Sequence, residues 1–207
     1  MTGEAVTGVR TETATPPGTR LVRLDAAGLH DAADGLADLL VDTVRGGASL
    51  GFLADLDRAA AAACWRGLVP AVASGNVAVW AVRDEGHDVR RVTGTVSVAF
   101  TDKPNGRHRA EIAKLMVHSS ARGQGLARVL LTAAEEAAAE AGVTLLVLDT
   151  ETGSPAESVY RKAGWTMAGT IPDYAADPSG ALRATTLFYK RLGADSIDAE
   201  PDRPARQ

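Results

Sequence analysis

One short stretch, "AEIAKLMVHSSARGQGLARVLL" over residues 110–131, constrains the fold more than any other part of the chain. An apolar strand pattern runs into Gly123 and Gly125, and an apolar helical pattern follows them. In such a strand–turn–helix unit, the backbone N–H groups of residues 123–127 point at one spot, where the helix dipole favours negative charge. The stretch therefore predicts an anion site between a strand and a helix.

Three phosphate-binding patterns compete for this loop. A P-loop needs Lys-Ser or Lys-Thr after its last glycine, but the chain has Arg128-Val129 there. A dinucleotide fingerprint needs a third glycine at position 128, because a long side chain prevents close helix–strand packing. The remaining pattern is Arg-x-x-Gly-x-Ala, from Arg122 to Ala127. It arises easily by chance in a chain with 21 glycines, so the flanking strand and helix must support it.

The rest of the chain predicts one α/β domain over residues 19–192, with flexible tails at 1–18 and 193–207. Glu85-Gly86-His87 indicates a hairpin between two strands, and the alanine-rich 52–75 segment predicts a helix or helix pair interrupted at Pro70. A meander followed by α-β-α-β-β implies a mixed sheet with helices on both faces. Strands are expected at 19–25, 76–84, 88–100, 110–118, 143–150, 165–174 and 181–192, and further helices at 27–45, 126–142 and 154–164.

Charge and composition exclude several classes of protein. The net charge of −4 gives no basic surplus for nucleic acid or anionic lipid. A single cysteine, Cys64, excludes an internal disulfide and a cysteine-based zinc cluster, and we expect no metal site. No apolar run has the length of a membrane span, and the first 18 residues lack a signal-peptide core. We therefore expect a soluble, cytoplasmic protein.

Two stretches, the one already described and a second one after it, make the chain recognisable. "AEIAKLMVHSSARGQGLARVLL" and "SPAESVYRKAGW" resemble two motifs of the GNAT superfamily of acyl-CoA-dependent N-acetyltransferases. The resemblance runs from Leu21 to Leu192 and is closest from Arg109 to Tyr189. The segment from "LDTETGSP" through "TTLFYK" is similar to the branch that includes the tabtoxin resistance acetyltransferase. One position departs from many members, because Gly153 stands where they carry an asparagine.

The resemblance implies a GNAT-type sheet of six to seven mostly antiparallel strands. Its two central strands splay apart, and the pantetheine arm of acetyl-CoA fills the gap. The strand before the loop then binds this arm and the thioester through its backbone, and the loop binds the diphosphate. The implied cofactor-binding residues are Leu115, Met116, Val117, Arg122, Gly123, Gln124, Gly125, Leu126 and Ala127.

Three side chains are candidates for the chemistry. Tyr160 matches the family tyrosine that faces the leaving thiolate as general acid, although a helical tyrosine can also be a core aromatic. Glu111 is a carboxylate in an apolar strand, and alternation places it on one face with Ala113, Leu115 and Val117. Asp149 ends the neighbouring strand. Glu111 could instead pair with Arg109 or Lys114, and Asp149 could accept hydrogen bonds in the following turn.

The sequence thus predicts direct acetyl transfer in a ternary complex, because no activated serine or cysteine stands out. Glu111 and Asp149 are the candidate bases, acting through water, since an amine with a pKa near 10.4 must lose a proton before it attacks. We expect the acceptor to be a small amino-acid-like amine, toxin or antibiotic. Two alternatives remain open: a protein lysine or N-terminal acetyltransferase, and a catalytically silent acyl-CoA-binding module. The protein could be a monomer or a homodimer.

Overall fold

The computed structural model describes residues 15–84 and 91–193. These contain seven strands: Thr19–Leu24 (β1), Val77–Asp84 (β2), Val92–Phe100 (β3), Arg109–Val117 (β4), Leu145–Glu151 (β5), Thr166–Ala176 (β6) and Leu182–Arg191 (β7). The described α-helices are Ala26–Arg45 (α1), Arg58–Gly67 (α2), Val69–Ala73 (α3), Leu126–Glu140 (α4) and Pro155–Lys162 (α5). The element order follows the prediction. The Glu85-Gly86-His87 hairpin and most of both predicted tails lie outside the described residues.

All seven strands form one open sheet in the order β1-β2-β3-β4-β5-β7-β6. Every neighbouring pair is antiparallel except β4 and β5, which are parallel. The β4–β5 ladder covers only Arg109 to Glu111 opposite Leu145 to Val147. The two central strands therefore separate beyond Glu111, which confirms the predicted mixed, mostly antiparallel sheet with a central splay.

Helices cover both faces of the sheet. α1 and α2 pack on one face around Leu36, Leu40 and Trp65. α4 and α5 pack on the other face around Leu130 and Tyr160. Successive residues of β2, such as Val79 and Trp80, pack in opposite clusters, as expected for a strand that is buried on both faces. We call these the α1 face and the α4 face.

Two local predictions need correction. The break in the 52–75 segment falls at Leu68, and Pro70 lies inside α3, because proline is tolerated in the first turn of a helix. At the start of α5, the sequence "SPAE" predicts a capping box between Ser154 and Glu157, and Ser154 does accept from the N–H of Glu157. The Glu157 carboxylate, however, accepts from the N–H of Gly153, so the reciprocal half of the capping box is displaced by one residue.

The prediction that Glu111 shares one face of β4 with Ala113, Leu115 and Val117 is also wrong in part. Thr95 pairs with Met116 while Ser97 pairs with Ala113, so Val96 faces two residues of β4. This β-bulge contains Lys114, whose φ is 52°, and it reverses the alternation of the strand. Leu115 packs against the α4-face cluster and Met116 lies in the α1-face cluster. Glu111 and Ala113 therefore share the α1 face with Met116, and Leu115 and Val117 lie on the opposite face.

Among the described residues, no helix has both the length and the apolar character needed to cross a lipid bilayer.

Candidate active site

The N-terminus of α4 lies at the end of β4, and it is built differently from the other long helices. α1, α2 and α5 each begin with a side-chain cap, from Asp25, Asp57 and Ser154 respectively. α4 begins with Gly125, which has no side chain and a φ of 82°. Gly123 has a φ of 80°. Glycine is favoured at both positions because other residues rarely adopt positive φ.

The backbone around Gly125 leaves a run of hydrogen-bond donors free. Among the described residues, no hydrogen bond of a turn, loop or cap has an N–H group of residues 123–127 as its donor. Buried or clustered N–H groups of this kind are normally satisfied by a cap, by water or by a ligand. The predicted anion site therefore has the required donors in the required order. Nothing lies within 4 Å of a Cβ built on Gly123 or Gly125, so both positions are open.

The entry to this loop is fastened to α1. Asp42 accepts from the backbone N–H and the hydroxyl of Ser119, both at 2.8 Å. Burial acts to raise the pKa of Asp42, but the Ser119 hydrogen bonds, with help from the charges of His118 and Arg122, lower it overall. Asp42 therefore holds the start of the loop as a carboxylate. Sequence reasoning missed it, because it lies 77 residues from its partner.

Two residues near the loop play positional roles in the structure. The Arg122 Nε donates to the carbonyl of Val117 at 3.3 Å, so the guanidinium packs back on the end of β4. The His118 Nδ1 lies 2.9 Å from the Ser120 hydroxyl. Leu126 is buried at the first turn of α4, and Gln124 is exposed.

Glu111 and Asp149 lie on adjacent strands where the sheet opens. The pKa of Glu111 is raised by burial and by the charge of Asp149, and Arg109 offsets part of this rise. Burial likewise raises the pKa of Asp149. Both residues remain exposed to water, so surrounding protein atoms of the cleft remove only part of their hydration. Two carboxylates with raised pKa values in a cleft are candidates for proton transfer.

The alternative roles of the two carboxylates find little support among the described residues. Glu111 forms no ion pair there, and Lys114 instead lies over the ring of Phe52. The turn after β5 is closed by the Glu151 carbonyl and the Glu157 carboxylate. Asp149 is not used as a cap of that turn.

Tyr160 combines a buried ring with an accessible hydroxyl. Its ring packs against Trp165 and Phe188, with centroids 6.0 and 6.1 Å away. Among the described residues, the one fully buried side-chain nitrogen or oxygen without a partner is the Arg83 Nε, so the unpaired Tyr160 hydroxyl reaches solvent. Burial, and then the charge of Asp149, raise the pKa of the phenol. The core-aromatic reading and the functional reading are therefore compatible.

The loop between α1 and α2, residues 46–57, covers the α1 face of the opened sheet. The Ser49 hydroxyl donates to the Ala176 carbonyl, and the Ala54 N–H donates to the Pro178 carbonyl. The loop is thereby fixed to the β6–β7 turn. That turn is organised by buried Asp177, which accepts from Arg183 and from three donors of the turn, the Ser179 N–H, the Ser179 hydroxyl and the Ala181 N–H.

Besides Asp42, sequence reasoning also did not assign Lys114 and Phe52 to the site. Lys114 was considered only as a partner of Glu111, but its Nζ lies 5.3 Å from the centroid of the Phe52 ring. The one signal in the sequence was a charged residue inside an otherwise apolar strand segment, "IAKLMV". The bulge that turns Lys114 toward Phe52 has no sequence signature of its own.

An uncapped helix follows the end of β4, beside an opened pair of central strands, and this arrangement is typical of α/β proteins that bind an anionic ligand at a helix N-terminus. The model of the "Acetyltransferase (GNAT) family" matches residues 52–165, more than half of the chain. The chain belongs to this family of acetyltransferases.

Solved structures share the fold at low sequence identity. The yncA protein from Salmonella typhimurium, solved with its cofactor acetyl-CoA, has a TM-score of 0.65 and 20% identity over 87% of this chain and 98% of its own. The ribosomal-protein-alanine N-acetyltransferase from Brucella melitensis has a TM-score of 0.64 and 23% identity, covering 84% and 99%. A protein assigned as a phosphinothricin N-acetyltransferase has a TM-score of 0.67 and 17% identity, covering 85% and 99%.

Proposed function

We propose that this chain transfers the acetyl group of acetyl-CoA to the primary amine of a small, amino-acid-like acceptor. The observation that carries the proposal is the run of unpaired N–H groups at residues 123–127, between the end of β4 and the first turn of α4. Such a terminus binds phosphate, and the family is one of acetyltransferases. In this proposal, the diphosphate of acetyl-CoA lies on these N–H groups.

The gap between β4 and β5 accepts the arm that links the diphosphate to the thioester. In β4, Met116 and Val117 pair with β3 on one side, Leu115 lies in the bulge, and none of the three has a ladder with β5 on the other side. The free peptide groups of this backbone are suited to bind the amides of the pantetheine arm. This backbone role is compatible with the packing of the Met116 side chain in the core.

Glu111 and Asp149 are proposed to receive the proton of the acceptor amine. Their raised pKa values make each carboxylate a stronger base than usual at neutral pH. The amine nitrogen attacks the thioester carbonyl, the carbon–sulfur bond breaks, and the amine proton passes to a carboxylate through water. The products are an N-acetyl amide and the thiol form of coenzyme A.

Tyr160 is proposed to act on the departing sulfur. Its raised pKa keeps the phenol protonated at neutral pH. A phenol with an ordinary pKa of about 10 is already a weaker acid than a thiol, whose pKa is about 8.5, and the raised pKa widens this difference. We therefore assign Tyr160 as a hydrogen-bond donor that stabilises the developing thiolate. The thiolate takes a proton from solvent as coenzyme A leaves, and the carboxylate returns the amine proton to solvent, so the enzyme regains its starting protonation state.

The small acceptor is proposed because the cleft is covered rather than open. The 46–57 loop lies over the α1 face and is fixed to the β6–β7 turn. The likeness to the tabtoxin-resistance branch agrees with this choice. The structural neighbours do not decide it, because their names include both a ribosomal-protein acceptor and phosphinothricin.

The test is thiol release from acetyl-CoA in the presence of amines, amino acids, antibiotics and lysine-containing peptides. Turnover with small amines and none with peptides supports the proposal. Turnover with peptides alone indicates a protein acetyltransferase. Tight acetyl-CoA binding without thiol release from any amine indicates a silent binding module.

A further inference from the structure

Lys114 lies on the β4 bulge, beyond the point where β4 and β5 stop pairing. In a regular strand, residues 111 and 114 point to opposite faces of a sheet. The extra residue in β4 brings Lys114 onto the α1 face, where its ammonium lies over the ring of Phe52. The φ of 52° at Lys114 is uncommon for a non-glycine residue, and such outliers concentrate at functional sites.

Both neighbours of Lys114 are held in place. The Phe52 ring packs against the α1-face cluster. Its loop is tied on either side to the β6–β7 turn, by Ser49 and by Ala54. A cation over an aromatic face is attracted to the ring, so the Lys114 ammonium has a defined position between the sheet and the loop.

The Lys114 ammonium has no carboxylate partner among the described residues. The charges that shift the pKa of Glu111 are those of Asp149 and Arg109. The α1 face of the opened sheet thus presents two carboxylates and a separate, uncompensated ammonium. Lys114 lies three residues after Glu111, roughly 10 Å along an extended strand.

We propose that Lys114 binds an anionic group of the acceptor, most simply a carboxylate, while Glu111 and Asp149 receive its amine. This inference rests on the proposed function. It deepens that function by restricting the acceptor to amines that also carry a negative charge. Lys114 then selects amino acids over simple amines, and Phe52 fixes the position of the charge that makes the selection.

The experiment compares amino acids with the amides of the same amino acids as acceptors. In Lys114→Met, we expect the KM for amino acids to rise on the order of tenfold to a hundredfold, with the KM for their amides unchanged. Lys114→Arg retains the charge and keeps the preference for amino acids. Lys103→Met is the matched control, because Lys103 is exposed in the loop after β3. It should behave like the wild type.

Binding measurements separate the failure of this inference from the failure of the proposed function. Calorimetry with the same ligands, on the enzyme saturated with coenzyme A, does not require turnover. Preferential binding of amino acids that is lost in Lys114→Met supports the inference even without acetyl transfer. The inference is overturned by an equal effect on amino acids and amides, by a change in acetyl-CoA affinity instead, or by the absence of carboxylate-dependent binding in both assays.

Discussion

Tyr160 and Asp149 are electrostatic neighbours: burial, and then the negative charge of Asp149, raise the pKa of the Tyr160 phenol. The two residues come from different elements, α5 and β5. Asp149 lies in the strand that separates from β4, and Tyr160 lies in the helix that follows this strand. This relationship sets the expected behaviour of the first variant.

Tyr160→Phe should lower kcat by about a hundredfold and leave the Kd for acetyl-CoA nearly unchanged, because the ring packing remains and only the hydroxyl is lost. The thermal midpoint should stay close to that of the wild type. Single-turnover kinetics and calorimetry measure the two quantities. An unchanged kcat would remove Tyr160 from the reaction.

The acid limb of the kcat/KM profile should move in opposite directions in two variants. The charge of Asp149 raises the pKa of Glu111 and that of Arg109 lowers it. The pKa that defines this limb should lie above the usual carboxyl range, because a base with a raised pKa becomes protonated at a higher pH as the pH falls. We expect Asp149→Asn to move the limb to lower pH and Arg109→Gln to move it to higher pH. The acceptor amine titrates equally in all variants, so shifts in one common direction would contradict the assignment.

Gly125→Ala should weaken acetyl-CoA binding, because a residue with a Cβ is strained at a φ of 82° and moves the head of α4 out of its left-handed conformation. Gly142→Ala is the matched control. Gly142 follows α4 at its other end, with a φ of 81° and no atom near a built Cβ. Both changes should lower stability by about 1–2 kcal/mol.

Only Gly125→Ala should also weaken acetyl-CoA binding, by about tenfold, which titration calorimetry measures. Affinity for acetyl-pantetheine, which lacks the diphosphate, should be the same in both variants. Equal acetyl-CoA affinities in the two variants would mean that the N–H groups at residues 123–127 do not bind the diphosphate.

Asp177→Asn should destabilise the β6–β7 turn at neutral pH and lower the melting temperature by a few degrees. The Ser179 hydroxyl and Arg183, together with the turn N–H groups, lower the pKa of Asp177 from 3.8 to about 2. A lowered pKa gives stabilisation that is complete above 3.8 and is lost as the pH falls through about 2. The wild-type and variant melting temperatures should therefore converge over that range in thermal scans. A constant difference at every pH would show that the charge is not responsible.

The sequence predicted what local patterns encode. Gly123 and Gly125 between an apolar strand and an apolar helix were enough to predict the anion site, because chain order fixes where those N–H groups point. The splay between β4 and β5 was predicted through the resemblance to the GNAT superfamily. Tyr160 was correctly placed on a short helix because Ser154 and Pro155 mark the start of that helix and Gly164 its end.

Two features could not be predicted, and both depend on tertiary structure. The bulge at Lys114 adds one residue opposite Val96, and the sequence of β4 looks the same with or without it. The wrong face for Leu115 and Val117 followed directly from this omission. Asp42 bonds Ser119 across 77 residues, a distance at which no periodicity in the sequence connects the two.

The short β4–β5 ladder gives the sheet two internal edges in addition to its outer edges at β1 and β6. Exposed edges are the places where sheets pair with strands of other molecules. These internal edges face each other within one molecule, which leaves no approach for the strand of a second protein. In the proposed function, an extended ligand with its own amide groups enters this gap, so an arrangement that favours aggregation at the rim of a sheet would favour ligand binding at its centre.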